Sequence, residues 1–253
     1  MTYLQNNTIE IEVVTVKSPE LELLERDHAA DTSELDYRSE LKGPYLKYVN
    51  MVYRDVLQRK PKITAAQDWV NQLVGGASLS TFVSCLFHSQ ERRELQIKEI
   101  YAKYLRRSPG EEGLSFWTGL LANGKTIEEI TAAFLSSQEY ETRAGGSHGS
   151  WVRALFPDIL GRRPSDVEAD CWISLLNSHS ATKLAIAYDF LTNNEYRITL
   201  IDSWYGKYLR RQPDAQTLHF AIDALKEGKT QEVLQTQILS SKEYFGCSLT
   251  RTE

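Results

Sequence analysis

Leu105-Arg106-Arg107-Ser108-Pro109, Phe116-Trp117, Gly124-Lys125-Thr126 and Ser136-Ser137-Gln138-Glu139-Tyr140 are the fixed points of a stretch that the chain repeats. Close copies begin at Leu57, Leu160 and Leu209. Aligned on Pro61, Pro109, Pro164 and Pro213, the four copies are spaced by 48, 55 and 49 residues. An echo at this period marks a repeat architecture, in which one supersecondary unit is stacked on its neighbours. The longer middle spacing coincides with Ala144-Gly-Gly-Ser-His-Gly-Ser150, a flexible composition. It predicts a division into a first pair of units, residues 45–143, and a second pair, residues 150–248.

Within each copy the apolar residues recur at steps of three and four. Ahead of each proline lie Val49, Val52, Tyr53, Val56 and Leu57; Ile97, Ile100, Tyr101, Tyr104 and Leu105; Val152, Leu155, Phe156, Ile159 and Leu160; and Ile201, Trp204, Tyr205, Tyr208 and Leu209. That stripe predicts an amphipathic helix, ended by the proline four residues on. A second helix follows, opened by Thr64 in the first copy, the Ser165-x-x-Glu168 capping box in the third and Asp214 in the fourth. It presents Trp69, Trp117 and Trp172, and Ala221 in the fourth copy. Gly75-Gly76, Gly124 and Gly228 supply left-handed ends, with Asn177 in that role in the third copy. A third helix starts at Ser78 or Ser80, Thr126, Ser180 and Thr230. It runs to a Ser/Asn-x-Glu turn whose Ser or Asn caps the next helical turn. Helices of about 12 residues, roughly 18 Å long, are too short to bury their stripes alone. The expected fold is all-α, four tandem three-helix repeats packed as two pairs in a bundle-like or solenoid-like body.

Residues 1–44 read differently. They hold ten acidic and four basic residues, a balance of -6, while the remaining 24 acidic and 25 basic residues balance to +1. Ile9-Glu-Ile-Glu-Val13-Val-Thr-Val16 alternates apolar and polar with the period of a strand. A lone strand needs a partner, so this segment is a docking or homo-oligomerising peptide or stays irregular. Gly43-Pro44 marks its expected boundary with the repeats.

The near-neutral body excludes a phosphate-driven nucleic-acid binder. No apolar run approaches the roughly 18 residues of a membrane helix. The first residues lack a basic start followed by an apolar core, so cytoplasmic residence is the expectation, with leaderless export as the alternative. Cys85, Cys171 and Cys247 are odd in number and far apart, which argues against a disulfide framework.

Leu160-Gly161-Arg162-Arg163-Pro164, Trp172 and Phe190-Leu-x-x-x-Glu195-Tyr196 resemble a bacterial domain family of unknown function, repeated in tandem in large secreted or surface proteins and beside glycosyltransferases. The pattern is distantly similar to phycobilisome linker domains. The resemblance covers about residues 45–247 and implies an all-α fold, a binding or scaffolding role and no catalytic residues. Only the third copy keeps the glycine before the arginine, the first ends Glu91-Arg92 in place of Glu-Tyr, and RTX nonapeptides are absent.

Among residues that bear chemistry, Arg59, Arg107, Arg162 and Arg211 stand two before each proline, and Glu91, Glu139, Glu195 and Glu243 follow 32, 32, 33 and 32 residues later. A constant Arg with a constant Glu predicts one ion pair per repeat; an array of Arg sites for acidic ligands is the alternative. Trp69, Trp117 and Trp172 suit a core position or a sugar-stacking one. Arg106, Arg163 and Arg210 are candidate partner contacts, forming a positive rim if the repeat ends share a side. Cys85 and His88 have a usable metal spacing, but no second pair completes a four-ligand site. No nucleophile–base constellation, phosphate loop or dinucleotide motif is present, so no cofactor is implied. The expected function is a non-catalytic scaffold or adaptor for another protein. Carbohydrate recognition, and an enzyme site assembled between the repeat pairs around residues 144–150, are the alternatives.

Overall fold

The structure is a computed structural model that describes residues 34–251. The strand expected at 9–16 lies outside the described residues. Among them are fourteen α-helices, two π-helical turns and no strand.

The first unit comprises α1 (Glu34–Leu57), α2 (Ile63–Val74) and α3 (Leu79–Phe87). The second comprises α4 (Gln90–Ile100), prolonged by a π-helical turn over Tyr101–Leu105, then α5 (Glu111–Ala122) and α6 (Ile127–Leu135). The third opens with α7 (Gln138–Arg143) and α8 (His148–Leu155), prolonged by a π-helical turn over Phe156–Leu160, and continues with α9 (Asp166–Asn177) and α10 (Lys183–Thr192). The fourth comprises α11 (Asn194–Leu209), α12 (Ala215–Lys226) and α13 (Gln231–Leu239), and α14 (Lys242–Thr250) follows it. The apolar stripes ahead of the prolines are buried, Leu105 and Tyr205 only partly. Ser89, Ser137, Asn193 and Ser241 each cap the following helix by accepting a backbone N–H.

Several boundaries differ from the sequence reading. The expected break at Gly43-Pro44 falls inside α1. Gly43 has no Cβ to meet the Pro44 ring, which removes one of the obstacles to a helix through this pair. Thr64 lies within α2, whose cap position is Lys62. Thr182, not Ser180, caps α10. The left-handed residue after α9 is His179, with φ 57°, rather than Asn177.

The larger correction concerns which units pair. One core joins the first unit to the fourth, with Tyr48, Val52, Phe82, Trp204, Leu239 and Phe245 among its members. The other joins the second to the third, with Ile97, Phe134, Trp151, Phe156, Ile186 and Phe190. The third helices meet face to face, α3 against α13 and α6 against α10, and α14 lies on α1. The Gly-rich insertion therefore breaks a helix instead of separating two bodies. Gly145 and Gly146, at φ 108° and 72°, end α7 and start the chain back towards α8. At the other two junctions the helix is uninterrupted. A 16-residue helix is about 24 Å long; α4 and α11 are such rods and carry the chain from one core to the other. Leu95 packs on the first core and Ile97 sits in the second, whereas Tyr196 packs on the second and Ile201 sits in the first.

The two cores share two polar contacts at equivalent positions. Tyr48 and Trp151 stand 13 residues before their prolines. Tyr48 Oη donates to the Leu239 carbonyl at 2.9 Å, and Trp151 Nε1 donates to the equivalent Leu135 carbonyl at 2.7 Å. Tyr244 donates to Asp55 at 2.7 Å as Tyr140 donates to Asp158 at 2.9 Å. The first and last units cover each other's apolar faces, so the stack closes without separate capping repeats.

Candidate functional site

Each Arg/Glu pair forms the same clasp. Gln58, Arg106, Gly161 and Arg210 are left-handed, with φ between 56° and 70°, and this turn aims the next residue's guanidinium at the end of the third helix. Nε and Nη2 then grip both carboxylate oxygens. The Nη2–Oε2 distances are 2.7 Å for Arg59–Glu91, 2.8 Å for Arg107–Glu139, 3.0 Å for Arg162–Glu195 and 2.7 Å for Arg211–Glu243. Nη1 donates to the carbonyl of the following residue in every copy. The guanidinium lies over Tyr53, Tyr101, Phe156 or Tyr205, 4.9–5.5 Å from the ring centre. Hydrogen bonds from the arginines hold all four glutamates below the usual carboxylate range. Arg162 also grips Glu168; with the Ser165 amide and hydroxyl it brings that carboxyl down to about 2. Each arginine thus gives its Nε–Nη2 edge to the glutamate and one Nη1 donor to the backbone, as the one-ion-pair-per-repeat reading expects. Their side chains remain 38–48% exposed, so the clasps set geometry more than they add stability. Arg106, Arg163 and Arg210 are exposed and make no ion pair among the described residues.

Trp69 packs on Phe82, Trp117 on Phe134 and Trp172 on Phe190, with centroids 4.8, 4.7 and 5.2 Å apart. All three indoles are half-buried. Trp69 packs against the first core and Trp172 against the second. Trp117 packs against the second on one face, while another part of it borders an open groove of about 520 Å³ between α5, α6 and α10. Leu120, Ile130, Leu184 and Tyr188 line the same groove; Leu184 and Tyr188 are 51% and 41% exposed. The equivalent face of the other core carries Ser80, Ser84, Thr236 and Gln237 at the places of Leu184, Tyr188, Ala132 and Ala133. The fold therefore does not require this face to be apolar.

A second cavity, of about 340 Å³, lies where α4 and α11 pass between the cores, closed at the sides by α6 and α13. Equivalent residues of the second and fourth units face it in pairs: Lys103 and Lys207, Tyr104 and Tyr208, Ile100 and Trp204, Thr131 and Gln235. Each ammonium stands over the ring of the next residue, Lys103 Nζ 4.9 Å from the Tyr104 centroid and Lys207 Nζ 5.0 Å from that of Tyr208. Both lysines are exposed residues, and the protein packed around their ammonium groups pushes both below the ordinary lysine value. Burial pushes the Glu128 carboxyl up, although Gln231 donates to it at 2.7 Å. Gln96 donates to Glu232 at 3.1 Å, and Tyr208 donates to Gln235 at 2.7 Å. No histidine, cysteine or aspartate lines this cavity; its titratable side chains are arginine, lysine, glutamate and tyrosine.

Sequence reasoning missed this seam because its residues belong to no motif. The signal lay in a position that alternates along the repeats. Six residues before the prolines stand Asp55, Lys103, Asp158 and Lys207. The aspartates accept the tyrosines at the paired interfaces, and the lysines face the seam. Cys85 and His88 form no ligand set: His88 Nδ1 sits 2.8 Å from the Ser84 carbonyl. Among the described residues no group of three or more His, Cys, Asp or Glu could hold a metal ion, and no helix is long and apolar enough to cross a membrane.

No curated protein and no solved structure matches the chain. The family described as a domain of unknown function, DUF4214, matches residues 39–96, 93–144 and 132–200. These segments cover the first three units and the start of the fourth, whose remainder, with Ala221 at the tryptophan position, lies beyond them. The chain thus belongs to the DUF4214 family, which it carries as tandem helical repeats.

Proposed function

We propose that the chain is a non-catalytic helical-repeat scaffold that holds a partner protein in the groove between α5, α6 and α10. The supporting observation is the broken equivalence between the two cores. One face is apolar and open where its counterpart is serine, threonine and glutamine. Trp117 and Leu120 on α5, and Leu184 and Tyr188 on α10, stand at steps of three and four. Two such rows form a trough that fits the apolar side of an amphipathic helix. The clasps keep the trough's walls fixed, which lowers the ordering cost of binding.

Carbohydrate recognition is the second reading. The accessible part of Trp117, beside Tyr188 and with Lys125, Glu129 and Thr182 also on the lining, gives it a specific basis. Affinity capture from the source organism and a glycan array, each run with wild type, Leu184→Glu and the control Val167→Glu, separate the two. A protein retained by wild type and Val167→Glu but lost with Leu184→Glu supports the scaffold. Glycan retention lost with Leu184→Glu supports the second reading, and identical results for all three chains exclude the groove.

A further inference from the structure

We propose that the seam between the two cores is a binding site for a small organic dianion, such as a di- or tricarboxylate or a phosphate ester, held between Lys103 and Lys207. This site is separate from the apolar groove and stands or falls independently of it. Its volume, about 340 Å³, lies near the lower end of the range for small-molecule pockets.

The charges of the seam are unequally engaged. Glu99 accepts Gln58 at 2.5 Å and Arg92 at 3.4 Å, and Glu128 accepts Gln231. Neither lysine makes an ion pair among the described residues, although the charge of Asp158 acts on Lys103 and those of Asp55 and Glu99 act on Lys207. Lys103 makes no hydrogen bond among the described residues. Lys207 donates to the Asp55 carbonyl at 2.9 Å, one of its three donors. Arg92 Nε is buried without a partner. Tyr104 is 4% exposed, lines the cavity and has no hydrogen-bond partner for its hydroxyl among the described residues. A buried donor without a partner, such as Arg92 Nε, costs free energy, and an anion placed beside it, the exposed lysines and the Tyr104 hydroxyl would satisfy several donors at once. Burial disfavours the charged forms of both lysines, and an anion entering from outside relieves that cost. The near-twofold equivalence of Lys103 and Lys207 suits a ligand with an acidic group at each end.

Isothermal titration of the full chain with pyrophosphate, citrate and succinate, with glycerol as the neutral control, tests the assignment. The expected result is saturable binding of one anion per chain, no binding of glycerol, and affinity reduced at least tenfold in Lys103→Met and in Lys207→Met. Lys242→Met, at an exposed site on α14, should bind as wild type does. Tyr104→Phe removes only the hydroxyl and should weaken binding about tenfold; it decides the question if either methionine variant fails to fold. No saturable binding of any anion at millimolar concentration overturns the proposal. So does binding that the seam variants leave intact, or that Lys242→Met weakens equally.

Discussion

Tyr244 donates a hydrogen bond of 2.7 Å to Asp55, 189 residues away along the chain. Arg251 approaches the same carboxylate at 3.7 Å. The last helix thus rests on the first as α7 rests on α8, where Tyr140 and Arg143 meet Asp158 at 2.9 and 2.7 Å. A chain built of four copies closes on itself through contacts that it also makes internally.

Tyr244→Phe leaves one acceptor of a largely buried carboxylate unsatisfied and should cost about 2 kcal/mol in urea unfolding. Tyr48→Phe should cost about 1 kcal/mol by releasing the Leu239 carbonyl. The pair Asp55→Asn and Tyr244→Phe share one contact, so their double-mutant cycle should show coupling of about 1 kcal/mol or more. Strict additivity would mean that the hydrogen bond contributes nothing.

Arg107→Ala should lower stability by only about 0.5–1 kcal/mol, because the clasp is half-exposed. The clasps also fix the response to acid. The arginines depress Glu91, Glu139, Glu195 and Glu243, so the folded-state values lie below the unfolded ones. Their stabilisation is complete above the ordinary glutamate value of about 4.3 and is lost as pH falls through the depressed values. Melting temperature should be flat from neutral pH to about 5 as far as these groups are concerned, then fall, with a smaller fall in Arg107→Ala.

Glu128 has the opposite sign. Burial raises its folded-state value, so it opposes folding increasingly as pH rises through the unfolded and then the folded value. Glu128→Gln keeps an acceptor for Gln231 and should raise the melting temperature at pH 7. The gain should vanish in acid, where wild-type Glu128 is protonated. An equal gain at both pH values would point to packing rather than charge.

Arg106 and Arg210 hold left-handed backbone at φ 58° and 56°, where the third copy has Gly161 at φ 70°. Arg106→Gly should stabilise by about 0.5–1 kcal/mol, and Gly161→Ala should destabilise by a similar amount. Thermal melts of the two single variants check both signs.

The units themselves were legible because burial imposes a period. Val49 to Leu57 and its three copies could hardly be anything but one helical face, and the constant spacing of Arg107 and Glu139 foretold a contact that local structure brings about. The pairing was hidden, because it depends on whether a junction is a broken helix or a continuous one. Ala144 to Ser150 looked like a spacer between bodies, yet a few glycines within a helix only reverse it, and the bodies separate along α4 and α11 instead. The seam was hidden for a related reason: Lys103 and Lys207 read as solvated charges on an amphipathic helix until two rods brought them to one cavity. Trp117 shows the remaining limit, since a repeated indole gives no sign of which copy borders an open groove.

Hydrogen–deuterium exchange of Tyr244→Ala against wild type tests the nested pairing most directly. Truncation at α14 should raise exchange in residues 48–57 and 79–87 while residues 97–192 keep their protection. Loss of protection confined to residues 148–250, with the first unit unchanged, would show that the units pair with their neighbours in sequence and contradict the closed arrangement.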